Sequence, residues 1–261
     1  MKSITSRDNS QYKELKLIAT NSQARRKAGQ TLLDGVHLCE AYFQHRGAPE
    51  LCIVSEFAAD DHEVQALLVQ CEKQGVRCIC LPEPLYKGIR QVENGVGIMF
   101  LISTPTLEFS QDIDATSVVL DNLQDPGNLG SILRSAAAAG VKNVFCSPGT
   151  VLAWSPKVMR AGMGAHFLLN IYENVELAPL LQAAKIPVLA TSSHTSKTIY
   201  QADLNRAVIW LFGHEGQGVS KDLMAMATHT LTIPQQASIE SLNVAASAAI
   251  CFFEQVRQQL K

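Results

Sequence analysis

Three stretches of this sequence hold residue types that could do chemistry together. DPGNLGSILR (125–134), GHEGQGVS (213–220) and PQQASIESLN (234–243) each mix turn residues with amide, carboxylate, hydroxyl or guanidinium side chains. Asn128 and Asn243 can donate and accept at once, Glu215 accepts, Ser241 does either, and Arg134 is a charged fork of donors. Glycine beside them lets backbone approach a ligand closely. Taken singly, each stretch is equally a tight turn with a helix cap, a flexible connector, or an ordinary helix start capped by Ser241. Neither G-x-G-x-x-G nor G-K-[ST] occurs in them, which argues against a dinucleotide enzyme and a P-loop enzyme.

The elements that must position these residues follow from hydrophobic pattern. SVVL (117–120), KNVFCS (142–147), HFLLNIY (166–172), IPVLATS (186–192), AVIWLFG (207–213) and THTLTIP (228–234) read as short strands. Helices are expected at 129–139, at 155–165 with Ser155 as cap and Pro156 first, at 177–185, and at 241–260. The last has Leu242, Ala245, Ala246, Ala249, Ile250, Phe253, Val256 and Leu260 at intervals of three or four, one apolar stripe. Strands alternating with helices imply a mainly parallel sheet covered on both faces. The three polar stretches then follow strand ends, where open α/β sheets bind ligands.

The first part of the chain reads as a smaller α/β unit. Helix is expected over 10–28 with a break near Asn21, then at 36–47, 62–75 and 84–92. Strands are expected at 30–35, 50–55, 76–81 and 96–102. The polar run 103–116 reads as a linker, giving domains 1–102 and 117–261.

Composition narrows the function. Of 261 residues, 47% are hydrophobic and 18% charged, enough apolar surface for a sizeable core. No run is long enough to span a bilayer and no secretory signal opens the chain, so a cytoplasmic protein is expected, with no membrane partner. Seven Cys without regular spacing point to a reducing compartment. Cys78 and Cys80 form a lone C-x-C with no matching pair after it, so no metal is expected. The formal net charge is −2, yet residues 1–30 carry a local +5, with Lys13, Lys16, Arg25, Arg26 and Lys27 among the cations. That end is either a nucleic-acid footprint or an ordinary solvated helix face.

DNLQDPGNLGSILRSAAAAGV, FGHEGQGVS and IPQQASIESLNVAASAA resemble, in order and spacing, the three motifs of the SpoU/TrmH-type RNA ribose 2′-O-methyltransferases of the SPOUT superfamily. SPKVMRAGMGAHF is also similar. The likeness covers roughly 117–261; residues 1–102 more loosely resemble the family's L30e-like substrate-binding domain, through the basic helix and SQARRKAGQTLLDGVHL. The resemblance implies a trefoil-knotted α/β methyltransferase domain, S-adenosylmethionine as cofactor, RNA as substrate and a homodimer. Ribosomal RNA is favoured; alternatives are transfer RNA, or a non-catalytic RNA-binding or ribosome-assembly protein on the same fold.

The resemblance also assigns residues. Asn128, Arg134, Glu215, Ser241 and Asn243 match the catalytic set, and Leu211, Gly213, Glu215, Gly218, Ile233, Leu242 and Asn243 the cofactor site. Lys13, Lys16, Arg25, Arg26, Lys27 and Arg134 are the RNA-binding candidates. Arg134 is expected to hold the target phosphate and polarise the 2′-oxygen, since a guanidinium rarely gives up its proton. Glu215 is expected to orient Asn128 and the Gly-rich loop. Ala237 and Gln235 depart from the family's usual Gly and Met, and His166 and His214 are expected to be incidental.

Overall fold

The protein is described here by a computed structural model that covers residues 1–92, 95–109, 113–193, 195–236 and 241–260. It divides into two compact units. The first is Met1–Pro105 with Trp154–Phe167, and the second is Thr106–Ala153 with Leu168–Lys261.

The first unit runs β1 (Lys2–Ser3), α1 (Ser10–Thr20), α2 (Ser22–Ala28), β2 (Gln30–Asp34), α3 (Val36–Arg46), β3 (Leu51–Ser55), α4 (His62–Lys73), β4 (Cys78–Leu81), α5 (Glu83–Tyr86) and β5 (Ile98–Ser103). Its sheet has the order β1-β4-β3-β5-β2, with β5 antiparallel to both neighbours and the other pairs parallel. Asn21 makes the helical break. It ends α1, and its side chain accepts the Ala24 N–H to cap α2. Strand alternation puts Ile53, Ile79 and Met99 in one core with Tyr12, Leu15 and Ile18 of α1. The expected helix at 84–92 is only the four residues of α5, followed by turns.

The second unit runs β6 (Ser117–Leu120), α6 (Pro126–Ala138) and β7 (Asn143–Cys146); then α7 (Pro156–Gly162) packs with the first unit. It resumes with β8 (Asn170–Tyr172), α8 (Leu177–Gln182), β9 (Val188–Thr191), β10 (Ile209–Phe212), α9 (Lys221–Met224), β11 (His229–Leu231) and α10 (Val244–Gln259). Six parallel strands lie in the order β11-β9-β10-β6-β7-β8. Val118, Val119 and Leu120 are all fully buried, as a central parallel strand requires. From β6 the chain moves outward through β7 and β8, then crosses to the other side for β9 and β10. The neighbours β6 and β10 therefore flank the point where strand order reverses.

Three sequence expectations change. HFLLNIY is strand only at Asn170–Tyr172; Ala165–Phe167 is a 3-10 turn after Gly164, whose φ is +86°. The apolar content there serves packing, with Phe167 edge-on to Tyr42 at 5.4 Å. The last helix starts at Val244 with Asn243 as its cap, so Ser241 precedes it rather than capping it. The buried side of α10 is also rotated from the expected stripe. It holds Ala245, Ala248, Cys251, Phe252, Glu254 and Gln255, while Ala246, Phe253 and Leu260 are exposed. Pattern reading excludes a buried glutamine, but Gln255 is satisfied in full. Its Oε1 accepts Trp210 Nε1–H at 2.9 Å, and its Nε2 donates to Arg206 O and Thr116 Oγ1.

The expected linker also has a core role. Phe109 packs edge-on to Phe145 and Tyr172, and Ile113 is buried among Val119, Leu177 and Leu211.

Candidate active site

The site lies where β6 and β10 end and α10 begins. After β6 the chain turns through Asn122, whose φ of +57° is one that Asn tolerates. Asp125 then caps α6, accepting the Asn128 N–H at 2.8 Å, and Pro126 takes the first helical position. Asn128 is thereby fixed in the first turn of α6 rather than in a loop. The Ala-rich sequence after it favours helix.

After β10 the chain doubles back on itself. His214 and Gly218 exchange N–H···O bonds of 3.0 and 2.8 Å, and His214 Nδ1 accepts the N–H groups of Gly216 and Gln217. His214 thus builds the loop. A Cβ on Gly213 would sit 2.2 Å from the Gly218 and Val219 backbone, so strand end and loop meet backbone to backbone. Gly218 closes the turn at φ +71°. The loop is braced from β6 as well, since Asp121 Oδ2 accepts the Ser220 N–H at 2.8 Å.

One hydrogen-bonded chain joins the three junctions. Glu215 Oε1 accepts Asp125 N–H at 2.9 Å and Asn128 Nδ2 at 3.1 Å, while Oε2 accepts Gln124 N–H at 3.1 Å. Asn128 Oδ1 in turn accepts Asn243 Nδ2 at 2.9 Å. Asn243 Oδ1 accepts Ala245 and Ala246 N–H at 2.9 and 3.1 Å, capping α10. The amide orientations of both Asn residues follow from this: each oxygen faces donors and each NH₂ faces an acceptor. Partial burial pushes the Glu215 carboxyl up, but the hydrogen bonds from Asp125, Asn128 and Gln124 outweigh it and hold it below its ordinary value.

The remaining candidates divide into two groups. Leu211 is fully buried in β10, Ile233 is buried beyond β11, and Leu242 is half-buried beside Asn243. Arg134 lies on α6 six residues past Asn128, exposed, with no side-chain partner among the described residues. Ser241 is exposed two residues before Asn243. Gln235 is exposed, and Ala237 lies outside the described residues. Sequence reasoning missed Asp121, Gln124, Asp125 and the loop-building role of His214. Asp125 carried a usable signal, an acidic residue directly before Pro and a helix.

The basic candidates sit in the first unit. Lys13 pairs with Asp8 at 3.0 Å. Lys16, Arg26 and Lys27 are exposed on α1 and α2. Arg25 turns inward instead, and its Nη1 donates to Ile18 O at 2.8 Å, a carbonyl near the end of α1. Burial lowers its affinity for its proton.

Residues 115–253 match the SpoU rRNA Methylase family. An uncharacterized tRNA/rRNA methyltransferase of Synechocystis is 33% identical, over 98% of this chain and 94% of its own. The 23S rRNA (guanosine(2553)-2′-O)-methyltransferase RlmP of Bacillus subtilis is 28% identical, over 97% and 98%. Among solved structures, the AdoMet-bound rRNA methyltransferase of Sinorhizobium meliloti shares the fold, with a TM-score of 0.86 at 24% identity and coverage of 100% and 99%.

Proposed function

The chain belongs to the SpoU rRNA methylase family, and from that premise we propose that it transfers a methyl group from S-adenosylmethionine to a ribose 2′-hydroxyl of ribosomal RNA. The observation that carries this reading is the Glu215–Asn128–Asn243 chain. It draws the ends of β6 and β10 and the start of α10 into one fixed polar site, while Arg134 is exposed and without a side-chain partner among the described residues, a cation able to meet an anion.

The residues present fit the cofactor. Gly213 packs directly on the Gly218 and Val219 backbone, so strand end and loop form one compact main-chain wall with no side chain at the join, which suits an adenosyl group held by backbone. Leu211, Gly213, Gly218, Ile233 and Leu242 would hold it, with Glu215 and Asn243 keeping the surrounding loops in place. Bound S-adenosylmethionine supplies a methyl group on a sulfonium, electrophilic enough to need no metal. The protein's share is position and charge. Arg134 holds the phosphate beside the target ribose and draws electron density from the 2′-oxygen. Asn128 and Ser241 orient the hydroxyl, whose proton passes to solvent as the oxygen takes the methyl group. Fixing two reactants in line is worth about 7–11 kcal/mol in well-oriented systems.

Residues 1–102 act as an L30e-like RNA-gripping domain, with Lys13, Lys16, Arg26 and Lys27 toward phosphate and Arg25 holding α1 and α2 together. The methyltransferase domain is knotted. In support, β11 lies at the sheet edge beyond β9, yet Asn243, a dozen residues on, meets Asn128 after central β6. The protein works as a cytoplasmic homodimer, which the exposed Phe253 of α10 and Leu260 just after it favour. No described helix is long and apolar enough to cross a membrane.

The test is methyl transfer from labelled S-adenosylmethionine to purified ribosomal and transfer RNA, with 2′-O-methyl positions mapped afterwards. Label in one ribosomal RNA ribose supports the proposal. Label confined to transfer RNA moves the substrate, and cofactor-independent RNA binding without transfer refutes the enzyme.

A further inference from the structure

Three thiols converge in the first unit from separate elements. Cys52 comes from β3, Cys71 from α4 and Cys78 from β4, and their sulfurs all lie within 4.8 Å of one another. Cys52 and Cys78 are direct partners on adjacent parallel strands, so their side chains share one face, and α4 brings Cys71 onto it. All three are free thiols. Among the described residues, no other group of three metal-ligating side chains comes together like this. Burial of a single cysteine needs no explanation beyond its apolar character. Three from distant positions around one point make a ligand set.

We propose that Cys52, Cys71 and Cys78 bind a soft divalent cation of the zinc type. Thiolates at about 2.3 Å from one such ion stand roughly 4 Å apart, a spacing the present sulfurs can reach by small rotations. Binding releases three thiol protons to solvent and leaves the ion with its three thiolates at a net charge of −1. A monovalent ion would leave −2 in the same buried place, which favours the divalent one. Cys78 opens onto a cavity of about 690 Å³ whose charged lining is Lys2 and Arg77 against Glu72, one positive charge in excess to offset the site's −1. The same cavity is the entry path, because Cys52 and Cys71 are fully buried while Cys78 is half-buried. It also leaves room for a water as fourth ligand. The C-x-C pattern concealed the arrangement, since the partners of Cys78 are 7 and 26 residues before it and Cys80 is not among them.

The experiment is anaerobic titration of the chelator-treated full chain with Cd²⁺, followed by competition with Zn²⁺. One equivalent of Cd²⁺ should give the ultraviolet charge-transfer band of three thiolates, and Zn²⁺ should remove it. Cys78→Ser should abolish the band, and Cys80→Ser should leave it unchanged. No band in the parent, or an equal band in Cys78→Ser, overturns the proposal. Alkylation of the parent protein, read by mass spectrometry, serves if Cys78→Ser does not fold. Zn²⁺ should slow modification of Cys78 at least tenfold and leave Cys80 unaffected, and equal rates with and without Zn²⁺ overturn the site.

Discussion

The polar groups at the ends of β6 and β10 and the basic residues of α1 and α2 spend their hydrogen bonds in opposite ways. Glu215, Asn128 and Asn243 use theirs on one another and on backbone, and nothing in that chain waits for a ligand to order it. On α1 and α2 only Arg25 is tied inward, while Lys16, Arg26 and Lys27 project into solvent. The first region is built to hold one geometry, which a methyl transfer demands. The second offers charge on long mobile stems, enough to attract a polyanion without specifying it. Arg134 stands between the two kinds, a mobile cation rooted in the rigid frame through α6.

The contrast can be broken at several points. Removing Arg134 should do the most. Arg134→Ala is expected to lower single-turnover methyl transfer by about 100-fold or more, while calorimetry finds cofactor affinity within about twofold of the parent, since the frame has not moved. Next comes Asn243→Asp, which keeps the cap on α10 but sets a carboxylate oxygen against Asn128 Oδ1. It should cost under about 1 kcal/mol of stability, because Asp caps as well as Asn. Transfer should nonetheless fall by roughly tenfold, and Asn243→Ser, which caps without the acceptor clash, should lose less.

Reversing charge on the mobile side gives a softer response. Arg26→Glu with Lys27→Glu should weaken RNA binding several-fold and flatten its salt dependence by roughly two contacts, with cofactor binding untouched. Filter binding across a salt series checks this; an unchanged slope would return α2 to an ordinary solvated helix. Arg25→Gln should instead act on folding, lowering the melting temperature by a few degrees, about what losing its contacts with the Ile18 and Ala19 carbonyls costs.

The smallest effect is the pH dependence of Glu215. Its carboxyl is held below the ordinary value, so its bracing is complete above the unfolded-state pKa and is lost as pH falls through the folded one. Glu215→Gln should therefore melt roughly 2–4 °C below the parent near neutrality. The difference should close under acid conditions, where both side chains are uncharged. Thermal melts of the two proteins from neutral pH downward decide it.

Much of this was legible in the sequence, for identifiable reasons. β6 and β10 are continuous apolar runs because both faces are covered, and turn residues follow them directly. The matching motifs named Asn128, Glu215 and Asn243 before their contact was seen. What pattern cannot supply is the pairing of distant polar groups. Gln255 lies off the apolar stripe of its helix, yet it is buried because Trp210 Nε1 and Arg206 O meet it from elsewhere in the chain. Arg25 looked like any other cation of its cluster, since nothing local tells that its guanidinium folds back on Ile18. Strand HFLLNIY failed because apolar residues near a left-handed glycine can pack just as well from a turn.

The cap on α10 makes that helix an instrument for watching the site. Asn243 holds the Ala245 and Ala246 amides with the same side chain that holds Asn128. Whatever steadies Asn128 must therefore lengthen the time those two protons take to trade with deuterated water. Occupancy of a cleft made by loops is thus written into the exchange rates of a helix, at the Ala245 and Ala246 amides.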